Sequence, residues 1–216
     1  MYTLMCVVTF LAVNHLMSEN VSNEFSVSAL RAGDKTEFAR LVDAYSTPIY
    51  RLALKMLIDP QEAEDALQST FLKAFQHIRE FEGRSSLSTW LYRIAANEAL
   101  MALRRKRPEL SLDEEPEEDE ALPRPLQFAD WGHLPEDELL SGEARRQFDR
   151  SVQKLPEKLR IVFLLRDMEG LSIKETSEAL GLSETAVKTR LLRARLNLRE
   201  QLSAYFAERL SHEERE

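Results

Sequence analysis

The chain has few of the residues that build covalent frameworks, metal centres or catalytic sites. Cys6 is its only cysteine, which excludes a disulfide framework and a cysteine metal site. The four histidines are too scattered to propose a ligand set. No nucleophile with a base and no glycine-rich phosphate loop is recognisable. The sequence therefore predicts no enzyme, no cofactor and no metal, and an apolar, reduced interior of a cytoplasmic protein.

A long hydrophobic segment is also lacking. The first 17 residues, MYTLMCVVTFLAVNHLM, are uncharged and largely apolar. They lack the basic start and cleavage site of a signal peptide, and a membrane-spanning helix needs about 20 apolar residues. We therefore expect no stable membrane insertion. Residues 1–27 are interpreted either as a start-site artefact, with translation beginning at Met17, which the missing charges favour, or as a genuine N-terminal extension.

No run of alternating apolar and polar residues is long enough for a sheet, whereas helical periodicity dominates, so we expect an all-α fold. The first helix is predicted to begin at Asp34, with Glu37 completing a capping box. Pro48 is predicted to permit a fresh turn. Asp59 is predicted to cap a second, long helix that runs to about Phe81.

Further helix signals follow in both halves of the chain. Ser88 is predicted to cap a helix that runs from Trp90 to a basic cluster and stops at Pro108. Helical pattern resumes near Leu139, and another helix is predicted between Pro156 and Gly170.

The charge is unevenly distributed. The whole chain carries −8, but residues 108–138 hold 12 acidic side chains and Arg124 alone, so the rest of the chain carries +3. Five of the eight prolines lie in the same segment. This composition predicts a mostly disordered tether.

The expected architecture is therefore two small helical domains joined by a flexible acidic linker, the second with a helix-turn-helix. Its parts are an N-terminal extension (1–27), domain one (28–107), the linker (108–138), domain two (139–210) and a tail (211–216).

Residues 172–199, SIKETSEALGLSETAVKTRLLRARLNLR, have the form of a helix-turn-helix. Ser172 and Glu175 cap a short helix, and Gly181 turns the chain into a longer basic helix from about Ser183. At about 100° per residue, one apolar stripe faces the core: Val187, Leu191, Ala194 and Leu198. The opposite face carries Thr185, Lys188, Thr189, Leu192 and Arg193. A merely solvated face is the alternative, but the three motif elements in order favour DNA reading.

Three stretches resemble extracytoplasmic-function (ECF) RNA polymerase sigma factors, close to the RpoE-like type. EAEDALQSTFLKAFQHIREFEG is similar to the family's core-polymerase-binding helix and SSLSTWLYRIAANEALMALRRKRP to its promoter-melting helix. LPEKLRIVFLLRDMEGLSIKETSEALGLSETAVKTRLLRAR is similar to its second DNA-binding domain. Thr176 and Ser177 depart from the family's usual aliphatic residue and alanine, so we expect looser packing there.

The resemblance implies three groups of site residues. Core polymerase would be bound by Glu62, Asp65, Gln68 and Leu72. The minus-ten element would be read by Phe81, Arg84, Ser85, Ser86, Arg93, Asn97, Arg104 and Arg105. The minus-thirty-five element would be read by Arg166, Ser183, Thr185, Lys188, Thr189, Arg190, Arg193 and Arg195.

Each group has a structural alternative. The polymerase-binding residues could simply solvate a helix face. Phe81 could be ordinary core, although its position suggests a pocket for a flipped base together with Asn97. Arg166 could form a surface ion pair with Asp167 or Glu169.

The resemblance thus implies a sigma factor that binds core RNA polymerase and promoter DNA, serves a stress or envelope response, and is held by an anti-sigma factor. The alternative is a helix-turn-helix regulator that acts independently of core polymerase. Such a regulator would need a sensor or receiver domain, for which the first half lacks the α/β pattern.

Overall fold

The computed structural model describes residues 25–106 and 142–213, with side chains over 25–106 and 146–203. Helices joined by short turns build both ranges, and no strand occurs within them. The predicted all-α class is confirmed. None of the helices in these ranges has the length and apolarity needed to cross a bilayer.

Within residues 25–106, which we call the first half, the structure has four helices. They are α1 (Val27–Ala32), α2 (Lys35–Leu57), α3 (Pro60–His77), followed by a 3-10 turn (Ile78–Glu80), and α4 (Leu87–Lys106). Helices α2, α3 and α4 pack against one another around a core that includes Leu41, Ile49, Leu52, Leu91 and Ala96.

Helix α1 was not among the predicted elements. Ser26 caps it, since its hydroxyl accepts from the Ala29 N–H at 3.2 Å, and Gly33 ends it with φ +86°. Asp34 caps α2 as predicted, but the predicted capping box with Glu37 does not form. The Glu37 carboxylate turns away from the cap to accept from the Ser26 N–H at 2.7 Å, which ties α1 to α2.

Two other boundary predictions are wrong. Helix α2 runs through Pro48 without a fresh turn, because buried Tyr45 and Ile49 on either side hold it against the core despite the missing N–H. Helix α4 is capped by Ser86, whose hydroxyl accepts from the Thr89 N–H at 3.1 Å, rather than by Ser88. The cap at Asp59 with Pro60 in the first turn of α3 is confirmed, although the α-helix ends at His77.

The second half contains α5 (Gly142–Lys154), α6 (Glu157–Phe163), a π-helical turn (Leu164–Met168), α7 (Ile173–Leu180) and α8 (Glu184–Glu213). Helix α8 packs against α5, α6 and α7. The buried apolar residues of the two halves form one continuous cluster, so the two helical units lie against each other.

Several predictions fall outside the described residues. These concern Met17 and most of the N-terminal segment, the acidic linker 108–138, the resumption of helix near Leu139, and residues 214–216 of the tail.

Candidate nucleic-acid interface

The helix-turn-helix forms as the sequence predicts. Ser172 and Glu175 make a complete capping box at the start of α7, and Gly181 ends the helix with φ +65°. The Ser183 hydroxyl then accepts from the Ala186 N–H at 3.1 Å and so caps α8. Local signals fix this turn, because each of its hydrogen bonds joins residues no more than five positions apart.

The two hydroxyl residues of α7 both have hydrogen-bond partners. Thr176 is fully buried, and its hydroxyl donates to the Ser172 carbonyl at 2.8 Å. Ser177 donates to the Leu182 carbonyl across the turn. Both hydroxyls therefore have hydrogen-bond partners and leave no unpaired polar group in this helix. The looser packing expected here stays a prediction.

Helix α8 presents the face that its periodicity predicts. The stripe that faces the core is buried: Val187, Leu191, Ala194 and Leu198. Thr185, Lys188 and Leu192 are exposed, and Thr189, Arg190 and Arg193 are half-buried on the flanks. Lys188 lies 3.9 Å from Glu184 one turn earlier, with 64% of its side chain exposed. The outward part of this face is therefore accessible to a partner.

Arg195 is engaged within the second half. Its Nε and Nη2 donate to the two carboxylate oxygens of Asp167 at 2.8 and 2.7 Å, and Asp167 is buried. Arg166 is half-buried, and its Nε has no hydrogen-bond partner among the described residues. The alternative ion pairs of Arg166 are not formed, because Asp167 pairs with Arg195 and Glu169 accepts from Tyr92.

The residues predicted to read the minus-ten element line two clefts beside the start and outer face of α4. One cleft of about 570 Å³ is lined by Arg93, Asn97 and Arg104 together with Trp90, Lys73 and His77. The other, of about 560 Å³, is lined by Arg84, Ser85 and Arg93, with Phe81, Trp90 and Glu178. Arg105 is exposed near the end of α4. Cationic, amide and aromatic groups thus surround space that a single strand can occupy.

Phe81 belongs to the core in this conformation. It is only 5% exposed, and its ring centroid lies 5.3 Å from that of Trp90. Ser86 is used as the cap of α4, and Arg84 pairs with Glu82 at 2.6 Å in the exposed loop.

The predicted polymerase-binding residues lie along α3. Asp65 and Gln68 are exposed, and Leu72 is 59% exposed. Glu62 is set apart from them, since its carboxylate pairs with Lys106 at 2.7 Å and joins the start of α3 to the end of α4.

Sequence reasoning missed two neighbours of these surfaces. Phe75 is 46% exposed, one turn beyond Leu72, and its ring stacks edge-on against Phe38 with centroids 5.0 Å apart. The i, i+3 spacing from Leu72 was the available signal. Lys73 pairs with Glu98 of α4 and lines the larger cleft. Its role depends on how α3 and α4 pack, which gives no local signal.

The two helical units touch through polar contacts beside these surfaces. The Thr89 hydroxyl in α4 donates to Glu175 of α7 at 3.0 Å. The Tyr92 hydroxyl donates to Glu169 at 2.6 Å. Burial raises the pKa of Tyr92 well above its usual value, and the neighbouring Glu169 carboxylate adds to this. Burial also raises the pKa of Glu169, although the Tyr92 hydroxyl opposes the shift.

Two further contacts join the two helical units at the C-terminal end of α2. Lys55 forms an ion pair with Asp149 of α5. The buried Arg160 of α6 donates from Nη1 to the carbonyls of Met56 at 3.1 Å and Lys55 at 3.3 Å. These carbonyls lie at the C-terminal end of α2, where a cation offsets the helix dipole.

Comparison with known proteins gives two family matches. The pattern of Sigma-70 region 2 matches residues 41–109, and that of Sigma-70 region 4 matches residues 145–198. The first match covers α3, α4 and most of α2, and the second covers the helix-turn-helix.

Individual relatives agree with these matches. The chain is 39% identical to the ECF RNA polymerase sigma factor SigW of Bacillus subtilis over 176 residues, 82% of this chain and 94% of SigW. It is 34% identical to the ECF RNA polymerase sigma-E factor of Haemophilus influenzae over 182 residues, 83% of this chain and 94% of that protein. The solved structure of CnrH in complex with the cytosolic domain of CnrY is similar with a TM-score of 0.59 and 25% identity, covering 82% of this chain and 95% of that chain.

Proposed function

The chain belongs to the ECF sigma factors of the sigma-70 family, and we propose that it binds core RNA polymerase and directs promoter-specific initiation of transcription. The observation that carries this function is the presence of both matches, region 2 and region 4, in one chain and in that order. Relatives that match over more than nine-tenths of their own length are named RNA polymerase sigma factors.

A regulator that acts without polymerase is not favoured. Its helix-turn-helix would explain the second half of the chain. It would not explain the first half, which matches Sigma-70 region 2 and places an exposed, partly apolar face on α3. That half is what a sigma factor needs and an operator-binding protein does not.

We assign the three groups of site residues to three tasks. Asp65, Gln68 and Leu72 would dock on core polymerase, and their exposure along α3 supports this. The clefts lined by Arg93 and Asn97 would take the melted minus-ten strand, since cationic and aromatic groups suit a single strand. The exposed face of α8 would read the minus-thirty-five duplex in its major groove.

The outward face of α8 carries side chains whose hydrogen-bond donors can read a base sequence. Arg193 can bond guanine with two donors, and the Lys188 amine can reach guanine or a phosphate. In contrast, Arg195 already gives two donors to Asp167, so a contact with DNA would use its remaining Nη1. We therefore expect Lys188, whose side chain is 64% exposed, to contribute more to selectivity than Arg195.

The setting of the protein follows from the family. We propose a cytoplasmic transcription factor without enzymatic activity that serves a stress or envelope response. The similar CnrH was solved in complex with another protein, the cytosolic domain of CnrY, and we propose that the present chain is likewise held by a protein partner, an anti-sigma factor.

The test is transcription in a purified system. Core RNA polymerase from the source bacterium is incubated with fragmented genomic DNA, with and without this protein, and RNA 5′ ends are mapped. We expect new start sites that share two upstream elements. Tight DNA binding without any new start site would contradict the sigma-factor function and favour an operator-binding regulator.

A further inference from the structure

Met101 is an apolar side chain on the outer face of α4, among groups that suit nucleic acid. It is 48% exposed and lines the cleft of about 570 Å³ together with Arg93, Asn97 and Arg104. At about 100° per residue, these four residues lie within about 80° of one another, so they form one stripe along the helix. The stripe has a guanidinium at each end, with an amide and then a thioether between them.

The carboxylates of this cleft are engaged by side chains of α3. Glu98 forms an ion pair with Lys73. A carboxylate oxygen of Glu80 lies 3.1 Å from Nδ1 of His77. The arginines at the two ends of the stripe therefore give the outer face of α4 an excess of positive charge, which suits the phosphates of a strand.

The exposed side chain of Met101 adds little to the core. The residues on either side of it that face inward, Ala99 and Ala102, are buried. A scattered surface residue is the alternative, since folded proteins expose many apolar side chains. The position of Met101 favours a ligand contact instead, because it lies in a cleft, one turn after the amide of Asn97 and one turn before the guanidinium of Arg104.

The chemistry of a methionine restricts what it can recognise on a base. The C5-methyl group of thymine is the apolar group that base edges present in the major groove. An unbranched, polarisable thioether can adapt its shape to such a small group. Stacking on the flat face of a base is a task for an aromatic ring, and Trp90 is available for it in the same cleft.

The spacing along α4 gives the expected register. Asn97 and Met101 are four residues apart, which is about 6 Å along the helix axis. Successive bases of a DNA strand are about 3.4 Å apart along the duplex axis. The group that Met101 contacts would therefore belong to a base about two steps from the one that Asn97 contacts.

We propose that Met101 contacts the C5-methyl group of a thymine in or beside the minus-ten element and sets a preference for thymine at that position. This inference rests on the proposed function and assigns a specificity-determining residue to it. Arg93 and Arg104 hold phosphates, which carry no sequence information. Met101 supplies selectivity that these cations cannot provide.

The test removes the methyl group from the DNA. Holoenzyme is assembled from core polymerase and the full chain, and it first selects promoters from a pool randomised over the minus-ten element and its flanks. Deoxyuridine, which lacks only the C5-methyl group, then replaces each selected thymine in turn. We expect one replacement to weaken binding by about fourfold, which corresponds to about 0.8 kcal/mol for one buried methyl-sized group.

Variants of the protein assign the effect to a side chain. Met101→Ala should bind the thymine and deoxyuridine promoters equally, and alanine at this half-exposed helical position preserves the fold. Met101→Leu should retain most of the fourfold ratio, because the contact needs an apolar group and not sulfur. Asn97→Ala should relax selection at a base about two steps away, which locates the two contacts relative to each other.

Ile58→Asn is the matched control. Ile58 is 53% exposed at the turn between α2 and α3, and it lines neither of the two clefts. Asparagine tolerates the φ of +69° at this position, so the variant loses an exposed apolar side chain without new strain. The fourfold ratio between thymine and deoxyuridine should be unchanged.

Three outcomes decide the matter. Selected promoters in which no thymine is sensitive to deoxyuridine would overturn the proposal, and so would an equal sensitivity of wild type and Met101→Ala. A holoenzyme that selects no promoter and starts no transcript would instead refute the proposed function, and the role of Met101 with it.

Discussion

The guanidinium of Arg195 and the carboxylate of Asp167 form a two-point ion pair that joins α8 to the π-helical turn before the helix-turn-helix. The two hydrogen bonds measure 2.7 and 2.8 Å. The Asp167 side chain is only 6% exposed, whereas that of Arg195 is 55% exposed. The pair thus satisfies a buried charge from the surface and fixes the recognition helix on its domain.

Arg195→Ala should therefore act mainly on stability. Loss of the guanidinium leaves a buried carboxylate without its partner, which costs about 1–3 kcal/mol. Urea unfolding of the full chain measures this, and Arg199→Ala, one turn farther along α8, should change stability by less than about 0.5 kcal/mol. Unchanged stability together with weak minus-thirty-five binding would show that Arg195 is chiefly a DNA contact.

Phe81→Ala separates the two roles considered for this ring. Because the ring is buried beside Trp90, its removal should lower the free energy of unfolding by about 3 kcal/mol or more. Phe75→Ala, at a half-exposed position, is the matched control and should cost clearly less. If Phe81→Ala kept full stability but failed to open promoters in a permanganate footprint, the flipped-base pocket would be the better description.

Asp65→Ala tests the docking face on α3. We expect a five- to thirtyfold weaker Kd for core polymerase, corresponding to about 1–2 kcal/mol for a residue central to an interface. Glu64→Ala removes the same charge from the adjacent exposed position and should bind nearly as wild type. Minus-thirty-five duplex binding by Asp65→Ala should be unchanged. Full polymerase affinity of this variant would place the docking face elsewhere.

Arg193→Ala tests sequence reading by α8. Loss of a two-donor contact to a base should cost about 1–3 kcal/mol on the preferred minus-thirty-five sequence and relax selectivity at one position. Arg193→Lys keeps the charge but lacks the planar pair of donors, so selectivity should stay relaxed while the salt dependence remains. Competition binding with a randomised duplex pool measures both. An equal loss on every sequence would mean that Arg193 contacts only phosphates.

We expect the hydrogen bond between Ser26 and Glu37, which links α1 to α2, to be sensitive to acid. The hydrogen bond from the Ser26 N–H, helped by Arg40, holds the pKa of Glu37 below its usual value. A lowered folded-state pKa gives stability that is present above the unfolded value of about 4.3 and is lost as the pH falls through the folded value. Unfolding followed from pH 7 to pH 3 should therefore lose less stability in Glu37→Gln than in wild type. Parallel curves for the two proteins would contradict this.

The sequence was most informative where the signal is local. The capping box at Ser172, the turn at Gly181 and the buried stripe of α8 were all predicted, because each depends on residues within one or two helical turns. It was less reliable at Pro48, where buried neighbours hold the helix through a residue that favours a break. It was also wrong about the cap of α4, which is Ser86 and not Ser88.

The features of the candidate site also divide into those that local patterns predicted and those that tertiary contacts decided. Exposure of Asp65, Gln68 and Lys188 follows from helical periodicity and was predicted. The engagement of Arg195 by Asp167 joins residues 28 positions apart, and no pattern on α8 distinguishes Arg195 from the other arginines there. The burial of Phe81 likewise depends on where Trp90 of the next helix lies.

By itself, the sequence determined most of the helices, the helix-turn-helix, the uneven charge and the resemblance to ECF sigma factors. Those features depend on short-range periodicity, helix caps and composition. Only the tertiary structure decided that Glu175 meets Thr89, 86 residues away, and that Arg160 caps a helix more than 100 residues earlier. Such contacts arise when two amphipathic units pack together, and pairing between distant surfaces leaves no regular spacing in either segment.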